Sequence, residues 1–582
     1  MPTALEQIRK RDGRIVPFDP QLISQAIAKA TQAVHGADAE LAESLAASVA
    51  REVERQSDSG LATVEQIQDA IEAVLIDAGL ARAAKAFILY RARRSRIREG
   101  KSELMLAVDD VLSNDGDGSP PRSPAGMLWA VGAAASQEYH LKRMLPEEEA
   151  VAHMRGDIHV EGLDTYAKAP NALNVPLDRL LDGIEPDAPP HAVVLRLLIA
   201  LQTLSSELSG SLGLESIDSL LGVAFEHASE QEIASAVAEL LQALGMPTWR
   251  SDAPLPLVLS FGVDPSPHAR RVAFALLDAL NRHSLNAPTL VMRLRPGMNL
   301  AAGDPNHDLF RAALAADRMM PRFAFGDEPV LGGGMRLAPD RFGAPTLGRS
   351  ILASVTINLP RIALQARRDH QVFDAHLMRV LDLAGRHLAS RMAVLGQLKA
   401  RELPRLMLQG LHAGSEDLGP NDPAGFALRH GQLNVAFVGL AEALTLVHGE
   451  HHGESPAAQE YGLALVRLMR DTVEAMAERH DLNMVLSGQA ADEAAVRFAT
   501  LDRRDFGNLP RVTDRPAYTR SYLLPGDFTA SIERRIAREA DFHRFCPGGN
   551  GLLLAPLERE GLENSIRRMQ SEGIGMLGVS KT

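Results

Sequence analysis

Basic side chains near the start of the chain are the residues whose type and spacing best suit phosphate binding. They are Arg9, Lys10 and Arg11 around a predicted Asp12–Gly13 turn, and Lys85 and Arg91 on a predicted helix. A triphosphate needs several cations together with backbone N–H donors. Lys10, Arg11 and Lys85 can supply the charge, and the turn can supply N–H groups. A solvated basic face would contain the same residues, so their spacing alone leaves both interpretations open.

The chain has one cysteine, Cys546, and this count excludes several kinds of chemistry. A single thiol cannot make an internal disulfide, a CxxC redox pair, a multi-cysteine zinc site or an iron–sulfur cluster held by this chain alone. A free cysteine usually behaves as a small hydrophobic residue, and we expect this role for Cys546.

Other residues that could bind metal or phosphate lack a supporting pattern. His448–Glu454 reads HGEHHGE, which matches no zinc motif, and we expect a solvated loop between two helices. The glycines at 332–334 are not followed by Lys-Ser/Thr, so they do not form a P-loop, and no G-x-S-x-G elbow occurs. The carboxylates Asp492, Glu493 and Asp502 need no acid–base role. We therefore predict no metal site.

Length and composition indicate a soluble protein of two to four domains. The chain has 582 residues, of which 46% are hydrophobic and 23% charged. Aromatic residues make up 4% and the formal net charge is −13, which both argue against a nucleic-acid binder. No apolar run reaches 18 residues and no apolar signal core occurs, so we expect a cytoplasmic protein.

Residues 5–98 are predicted to form a compact α+β unit. Ile8–Val16 is typical of a strand, an Asp-Gly turn and a second strand. Helices are predicted from Asp19, over Leu41–Gln56, from a capping box at Thr63, and from Ala81 to about Arg98. Residues 99–126 contain many Asp, Gly, Ser and Pro residues and are predicted to be a linker.

Residues 127–582 are predicted to form one large α/β unit. Helical stretches are expected at His191–Leu208, Gln231–Leu244, Pro267–Arg282, Leu309–Arg318, His370–Leu398 and Ala457–Arg479. Strand-like apolar runs begin at Pro256, Thr289, Arg322, Ser354, Val435, Asn483, Gly551 and Gly575. About eight strands interleaved with helices favour an α/β barrel or a doubly wound sheet, and periodicity does not choose between them.

The centre of this unit, Pro321–Leu364, is predicted to be a strand, a protruding loop and a second strand. A short apolar run from Arg322 leads into the glycines at 332–334, and a second run covers Val355–Leu359. Pro360 ends the second run because proline has no N–H for a sheet ladder.

The N-terminal unit resembles the ATP-cone domain, the nucleotide-sensing module of ribonucleotide reductases. The resemblance rests on KRDGRIVPFD, TVEQIQDAIEAVL and AAKAFILYRARR, which lie in this order. It implies that ATP or dATP, with Mg, binds as an effector between the hairpin and the helices. The residues implied at this site are Arg9, Lys10, Arg11, Asp12, Gly13, Lys85 and Arg91.

The second unit resembles the anaerobic, glycyl-radical (class III) ribonucleotide reductases. The matching segments, in chain order, are HMRGDIH, SSELSGSLGLESIDSLL, SVTINLPRIAL, VGLAEAL, ADEAAVRFATLDRRDFG, YTRSYLLP, FHRFCPGGNG and GIGMLGVS. The resemblance implies a ten-stranded α/β barrel around a finger loop, and it places the Pro321–Leu364 loop in the position of that finger loop.

The reaction of that family needs thiols that this chain lacks. A glycyl radical near the C-terminus generates a thiyl radical on a finger-loop cysteine, which removes the 3′-hydrogen of a ribonucleotide. A cysteine early in the barrel and a four-cysteine zinc site are also part of the family pattern. Residues 322–350 and Asn171–Leu181 contain no cysteine, and Glu161 and Gly162 replace a histidine–aspartate pair. The sequence ends at Thr582, where the family's zinc and glycyl segments would begin, so we expect a truncated barrel with no zinc, no glycyl radical and no catalytic residue.

The predicted fold is thus α/β, an N-terminal α+β ATP-cone domain followed by a ribonucleotide-reductase-like barrel with a finger loop. The expected function is that of an ATP- or dATP-binding, non-catalytic paralogue with a regulatory role. Expected partners are nucleotides and either a second copy of the chain or another reductase subunit, without nucleic acid or membrane. Two alternatives stay open: an active reductase whose missing parts come from another chain, and a scaffold or interaction protein.

Overall fold

The structure is a computed structural model. It describes residues 7–9, 15–35, 39–56, 61–113, 122–183, 185, 187–248, 252–282, 287–316, 319–489, 492–554 and 561–579. Contacts divide the chain into two compact units, Met1–Asp110 and Val111–Thr582, and each unit is described separately below. Within the described ranges, no helix is both long enough and apolar enough to cross a bilayer.

The N-terminal unit consists of a small sheet and four helices. Its strands are β1 (Gln7–Arg9), β2 (Ile15–Pro17) and β3 (Leu61–Thr63), and its helices are α1 (Pro20–His35), α2 (Ala39–Gln56), α3 (Val64–Asp77) and α4 (Ala81–Ser113). Strand β1 pairs antiparallel with β2 and parallel with β3. The predicted hairpin pairing is confirmed, and its turn, residues 10–14, lies outside the described residues. Ile27, Val49 and Leu75 are fully buried in the core between the helices.

Two local signals of this unit have different outcomes. The capping box at Thr63 is confirmed, because its hydroxyl accepts from Gln66 N at 3.2 Å and the Gln66 side chain accepts from Thr63 N at 2.8 Å. The linker prediction for residues 99–126 is only partly compatible with the structure. Helix α4 continues to Ser113, so residues 99–113 of the predicted linker are helical, because most residues after Arg98 have a favourable helix propensity. The next helix starts at Pro124.

The second unit contains eleven further strands and sixteen further helices in its described residues. The strands are β4 (Ile158–Val160), β5 (Ala172–Asn174), β6 (Leu212–Leu214), β7 (Leu257–Phe261), β8 (Thr289–Leu294), β9 (Arg322–Phe325), β10 (Ser350–Asn358), β11 (Gln432–Val438), β12 (Asn483–Ser487), β13 (Leu552–Leu554) and β14 (Met576–Val579). The first eight helices are α5 (Pro124–Tyr139), α6 (Glu147–Arg155), α7 (Leu177–Leu180), α8 (Pro190–Leu204), α9 (Ile217–Ala224), α10 (Glu230–Leu244), α11 (Pro267–Arg282) and α12 (His307–Leu314). The others are α13 (Leu359–Ala366), α14 (His370–Gly396), α15 (Gly425–Leu428), α16 (Leu440–His448), α17 (Pro456–His480), α18 (Asp492–Phe506), α19 (Ile532–His543) and α20 (Leu562–Ser571).

All eleven strands belong to one sheet: ten follow the order β12-β11-β10-β5-β6-β7-β8-β9-β14-β13, and β4 pairs antiparallel with β10 beside this path. Strands β5 to β9 are parallel, and so are β10 to β12 and the pair β13 and β14. The two halves meet antiparallel at β5–β10 and at β9–β14. Gly548 N donates to Leu486 O at 3.0 Å and Gly488 N to Gly549 O at 2.7 Å, which joins β12 to the segment before β13. These bonds close the ring of strands. Of the two predicted alternatives, the barrel is therefore confirmed and the open, doubly wound sheet is not.

Strand β10 illustrates how sequence alternation places residues in the barrel wall. Val355 and Ile357 belong to the large hydrophobic core, and Ser354 and Thr356 alternate with them. Because successive side chains of a strand point to opposite faces, the polar pair lies on the face opposite the hydrophobic core. The strand ends at Asn358, and Pro360 occupies the first turn of α13, where its missing N–H costs nothing.

Candidate functional site

The loop between β9 and β10, residues 326–349, lies inside the barrel. Leu331 and Leu337 are fully buried and pack with Ala172 of β5 and with Ile351 at the start of β10. The tip is a short turn at Gly332–Gly334, where Gly333 and Gly334 have φ of 71° and 87°, a region that glycine adopts without strain. The prediction of a protruding Gly-rich loop is confirmed, and the protrusion points into the ring.

The barrel wall has no side chain where the loop tip touches it. Gly213 lies in the middle of β6, and a Cβ at this position would lie 2.4 Å from the Leu331 side chain. Glycine therefore permits direct contact between the strand and the loop. Since the interior is filled at this point, the tip is in van der Waals contact with the strand.

Polar groups from several elements hold the loop backbone. The Ser211 hydroxyl accepts from Gly332 N at 2.9 Å, just before β6. On β11, the Gln432 side chain accepts from Ala338 N at 2.8 Å and donates to Arg336 O at 2.7 Å. Arg336 N in turn donates to Gly548 O at 3.0 Å. The loop is thus bonded to opposite sides of the ring, which fixes its path.

A buried ion pair anchors the start of the loop. Arg293 of β8 contacts Glu215 at 2.5 Å and also donates to Gly326 O and Glu328 O at 2.9 and 3.0 Å. Glu215 accepts in addition from Val330 N at 3.3 Å. Both side chains are largely buried, so the pair is stable only because each partner neutralises the other.

A second buried cation, Arg336, lies within the loop itself. Its guanidinium donates to Phe325 O at 2.7 Å and to Gly575 O, and it contacts Glu328 at 3.2 Å. Burial lowers the pKa of Arg336 to about 10, with Glu328 opposing that shift, so the side chain stays charged at neutral pH. Arg336 therefore links the middle of the loop to the end of β9 and to the residue just before β14 through charge-assisted hydrogen bonds.

No thiol lies in this loop, and the one cysteine of the chain lies in the hydrophobic core. Cys546 is fully buried in the same large cluster as Phe542 and Met469, so its predicted role as a small hydrophobic residue is confirmed. Burial raises the pKa of the Cys546 thiol, which disfavours the reactive thiolate. The loop contains no sulfur–hydrogen bond that could be broken to make a thiyl radical.

The barrel wall keeps buried polar atoms without a partner among the described residues. Ser354 and Asn434 are register partners on β10 and β11, and Ser354 Oγ and Asn434 Nδ2 are buried without a hydrogen bond. The side-chain oxygen of Asn174 on β5 is in the same state. Buried polar groups normally have partners, so such atoms indicate a position for water or for a polar ligand.

The predicted nucleotide-binding residues of the N-terminal unit are only partly described. Lys10, Arg11, Asp12 and Gly13 lie outside the described residues. Arg9 at the end of β1 and Lys85 on α4 are exposed. Arg91 on α4 pairs with Asp69 at 2.5 Å and Glu72 at 2.9 Å, two carboxylates of α3. A phosphate that binds Arg91 must therefore compete with these carboxylates, which sequence reasoning did not predict.

The segment His448–Glu454 connects α16 and α17 as predicted, but it is not a fully solvated loop. His451 and His452 are buried, and the His452 ring contacts Tyr522 O at 2.8 Å. Burial lowers the pKa of His452 to about 3. Hydrophobic contact with Phe542 explains the difference, since the ring packs against that side chain at 5.3 Å between centroids. Among the described residues, no group of three metal-ligating side chains is assembled.

The carboxylates singled out in α18 have structural roles. Asp502 is fully buried and accepts from Arg361 at 2.5 Å, Asn358 at 2.9 Å and Tyr518 at 2.8 Å. Asp492 at the start of the helix pairs with Arg520 at 2.6 Å. Sequence reasoning found these carboxylates but missed Glu215, Arg293 and Arg336. The one available signal was a charged residue, Arg293, within the apolar run TLVMRL of β8.

A ten-stranded barrel with two antiparallel halves and a loop threaded into it defines a protein of the ribonucleotide-reductase class. Comparison with family models specifies the family. Residues 119–582 match the anaerobic ribonucleoside-triphosphate reductase family, and residues 6–96 match the ATP cone domain. The chain belongs to the anaerobic ribonucleoside-triphosphate reductase family and carries an N-terminal ATP-cone domain.

Individual relatives agree with this assignment. The anaerobic ribonucleoside-triphosphate reductase of Escherichia coli (strain K12) is 26% identical over 608 residues, which cover 93% of this chain and 84% of the relative. The vitamin B12-dependent ribonucleoside-diphosphate reductase of Mycobacterium tuberculosis (strain ATCC 25618 / H37Rv) is 40% identical over 106 residues, 18% of this chain and 14% of the relative. Both predicted resemblances are therefore confirmed.

The fold is also similar to a solved structure. The anaerobic ribonucleotide reductase from Thermotoga maritima, with dATP bound in the specificity site, superimposes with a TM-score of 0.66. The match covers 84% of this chain and 91% of that chain at 15% sequence identity. At this identity the similarity establishes the fold, and chemistry has to be argued from the residues present.

Proposed function

We propose that this chain is an ATP- or dATP-binding, non-catalytic member of its family that senses nucleotides and regulates a partner. The observation that carries this proposal is the loop inside the barrel, which has three glycines at its tip and no cysteine. The family's reaction needs a thiyl radical beside the ribose. No other side chain replaces a thiol here, since a serine O–H bond is too strong for reversible exchange of hydrogen with a sugar carbon.

The packing of the loop also argues against a thiol supplied by another chain. A reacting sulfur has to lie within contact distance of the sugar, inside the barrel. Leu331 fills the space against Gly213, and Ser211 and Gln432 bind the loop backbone on either side. A foreign cysteine would have to displace this bonded loop. An active reductase completed in trans is therefore the weaker candidate.

The nucleotide-binding part of the proposal rests on the ATP-cone match over residues 6–96. We assign the Mg-nucleotide to the basic cluster of Arg9, Lys10, Arg11, Lys85 and Arg91, with Asp12 and Gly13 in the turn. Several cations can bind the phosphate oxygens together. Since the chain has a sensor beside an unreactive barrel, we assign it a regulatory role, in which ATP or dATP changes its association with a second copy or another reductase subunit.

We also propose that the barrel can bind a ligand in its interior without converting it to a product. Ser354 and Asn434 offer unpaired polar atoms side by side, which favours binding of a polar molecule such as a nucleotide. Binding without the radical group would leave the ligand unchanged.

Isothermal titration of the full chain with ATP and dATP tests the sensing role. We expect saturable binding below about 1 mM nucleotide, and loss of that binding in a Lys10→Ala/Arg11→Ala variant. Arg51→Ala is the matched control, since Arg51 is an exposed residue on α2 of the same unit and donates to the Ser48 hydroxyl at 3.2 Å. Absence of any ATP or dATP binding by the unaltered chain would reject the sensing role.

A further inference from the structure

A cavity of about 510 Å³ lies on the outer side of the barrel, beside α8. Three elements contribute arginines to its wall: α7 with Arg179, α8 with Arg196, and the segment after α14 with Arg405. Ile199 and Leu411 add apolar surface to the same wall. The volume is within the range of small-molecule sites, and the cavity is not part of the loop region or of the N-terminal unit.

Two of the three guanidinium groups form no ion pair with a carboxylate among the described residues. Arg179 contacts Glu416 at 3.1 Å, so its charge is balanced. Arg196 donates to the Gly183 carbonyl at 2.6 Å, a neutral acceptor that orients the side chain without balancing its charge. Arg405 uses its backbone N–H to bind Glu207 at 2.8 Å. Its side-chain charge also acts on the Glu207 carboxylate, but its guanidinium makes no hydrogen bond or ion pair with a described residue and stays available to an anion.

The described part of the cavity wall contains one carboxylate, Asp182. It forms no ion pair with Arg196 or Arg405 among the described residues. Two like charges that face one cavity repel each other and gain free energy when an anion binds between them. Guanidinium groups suit phosphate because they offer paired N–H donors in a plane.

The geometry points to a second anion site, at which Arg196 and Arg405 bind the phosphate group of a small phosphorylated molecule. The apolar wall from Ile199 and Leu411 gives the rest of that molecule a surface to pack on. This site is separate from the proposed nucleotide site, and it does not depend on the sensing role of the N-terminal unit.

Titration of the full chain with inorganic pyrophosphate tests this site. We expect the dissociation constant to rise about tenfold or more in an Arg196→Gln/Arg405→Gln variant. Arg467→Gln is the control, because Arg467 is an exposed arginine on α17, and its binding should match the unaltered chain. Pyrophosphate bound at the N-terminal unit would persist in all three proteins, so the comparison isolates the cavity.

A second variant tests the same site in case the double variant does not fold. Thr203→Glu places a negative charge on the cavity wall without removing either arginine, and it should weaken pyrophosphate binding to a similar extent. Succinate should bind more weakly than pyrophosphate, because its carboxylates carry less charge at each end. The proposal is rejected if the unaltered chain does not bind pyrophosphate at about 10 mM, if both variants bind it unchanged, or if succinate binds more tightly.

Discussion

Glu215 and Arg293 form an ion pair of 2.5 Å inside the barrel, and the same two side chains bind the backbone of the loop that connects the two halves of the sheet. In this family that loop is where the reaction requires a thiol. Here the loop is held by charged and polar groups and contains no cysteine. These contacts fix the path of the loop inside the barrel.

The first prediction concerns this ion pair. Glu215→Ala leaves the Arg293 charge buried without a partner, and we expect a loss of about 3–5 kcal/mol in the free energy of unfolding of the barrel. Differential scanning calorimetry should show a lower transition temperature. The double variant Glu215→Leu/Arg293→Met removes both charges and should recover most of this loss. Equal destabilisation by the single and double variants would contradict the account.

A second prediction tests the contact between the loop and the wall. Gly213→Ala places a methyl group against Leu331 and should cost about 1–3 kcal/mol, because the core has no room for it. Gly303→Ala is the matched control, since a Cβ at that glycine meets nothing within 4 Å. Thermal unfolding compares the two. If Gly213→Ala were as stable as the control, the loop would not be packed against β6 as described.

The third prediction concerns Arg91, whose charge is shared with Asp69 and Glu72. If it belongs to the proposed nucleotide site, Arg91→Gln should raise the dissociation constant for ATP about threefold to tenfold, less than the Lys10→Ala/Arg11→Ala variant. Titration calorimetry measures this, with Arg51→Gln as control. A purely structural Arg91 would give lower thermal stability with an unchanged ATP affinity, which would remove it from the site.

The fourth prediction follows from a buried acid at the start of α9. Burial raises the pKa of Asp218 to about 7, with a contribution from Asp264, while the Gly262 N–H opposes the shift. A raised pKa favours the neutral acid in the folded state. The stability that this group contributes is therefore present below its ordinary pKa of 3.8 and is lost as the pH rises through about 7.

Asp218→Asn stays neutral at every pH, so its stability relative to the unaltered chain should increase between about pH 4 and about pH 7. The linkage relation limits this increase to roughly 4 kcal/mol. Thermal unfolding at several pH values measures it, and Asp278→Asn, an exposed residue of α11, serves as control. A difference that is independent of pH would show that the pKa of Asp218 is not raised in the folded state.

Much of the fold could be predicted because its strands are apolar runs with clear ends. Strands β7 to β14 correspond to predicted runs, whereas β5 and β6 have three residues each and give no periodic signal. Closure of the ring depends on backbone bonds between Leu486 and Gly548, which no side-chain pattern encodes. Local patterns therefore identify elements better than they identify how distant elements meet.

The candidate site was predictable to a smaller extent. The absence of cysteine from the loop is visible in the sequence, and so is the glycine tip. The pairing of Arg293 with Glu215 joins residues 78 positions apart, and the carboxylates that contact Arg91 lie on a different helix. The sequence shows which charged side chains are present, but tertiary contacts determine which of these charges are paired with an opposite charge.

The central claim is that the barrel binds without reacting. An anaerobic assay with ribonucleoside triphosphates, ATP and a glycyl-radical activating enzyme tests it most directly, on protein shown by titration to bind ATP. The account predicts no deoxyribonucleotide above the level of a sample without the chain. Formation of deoxyribonucleotide in proportion to the amount of chain would contradict it and would establish an active reductase.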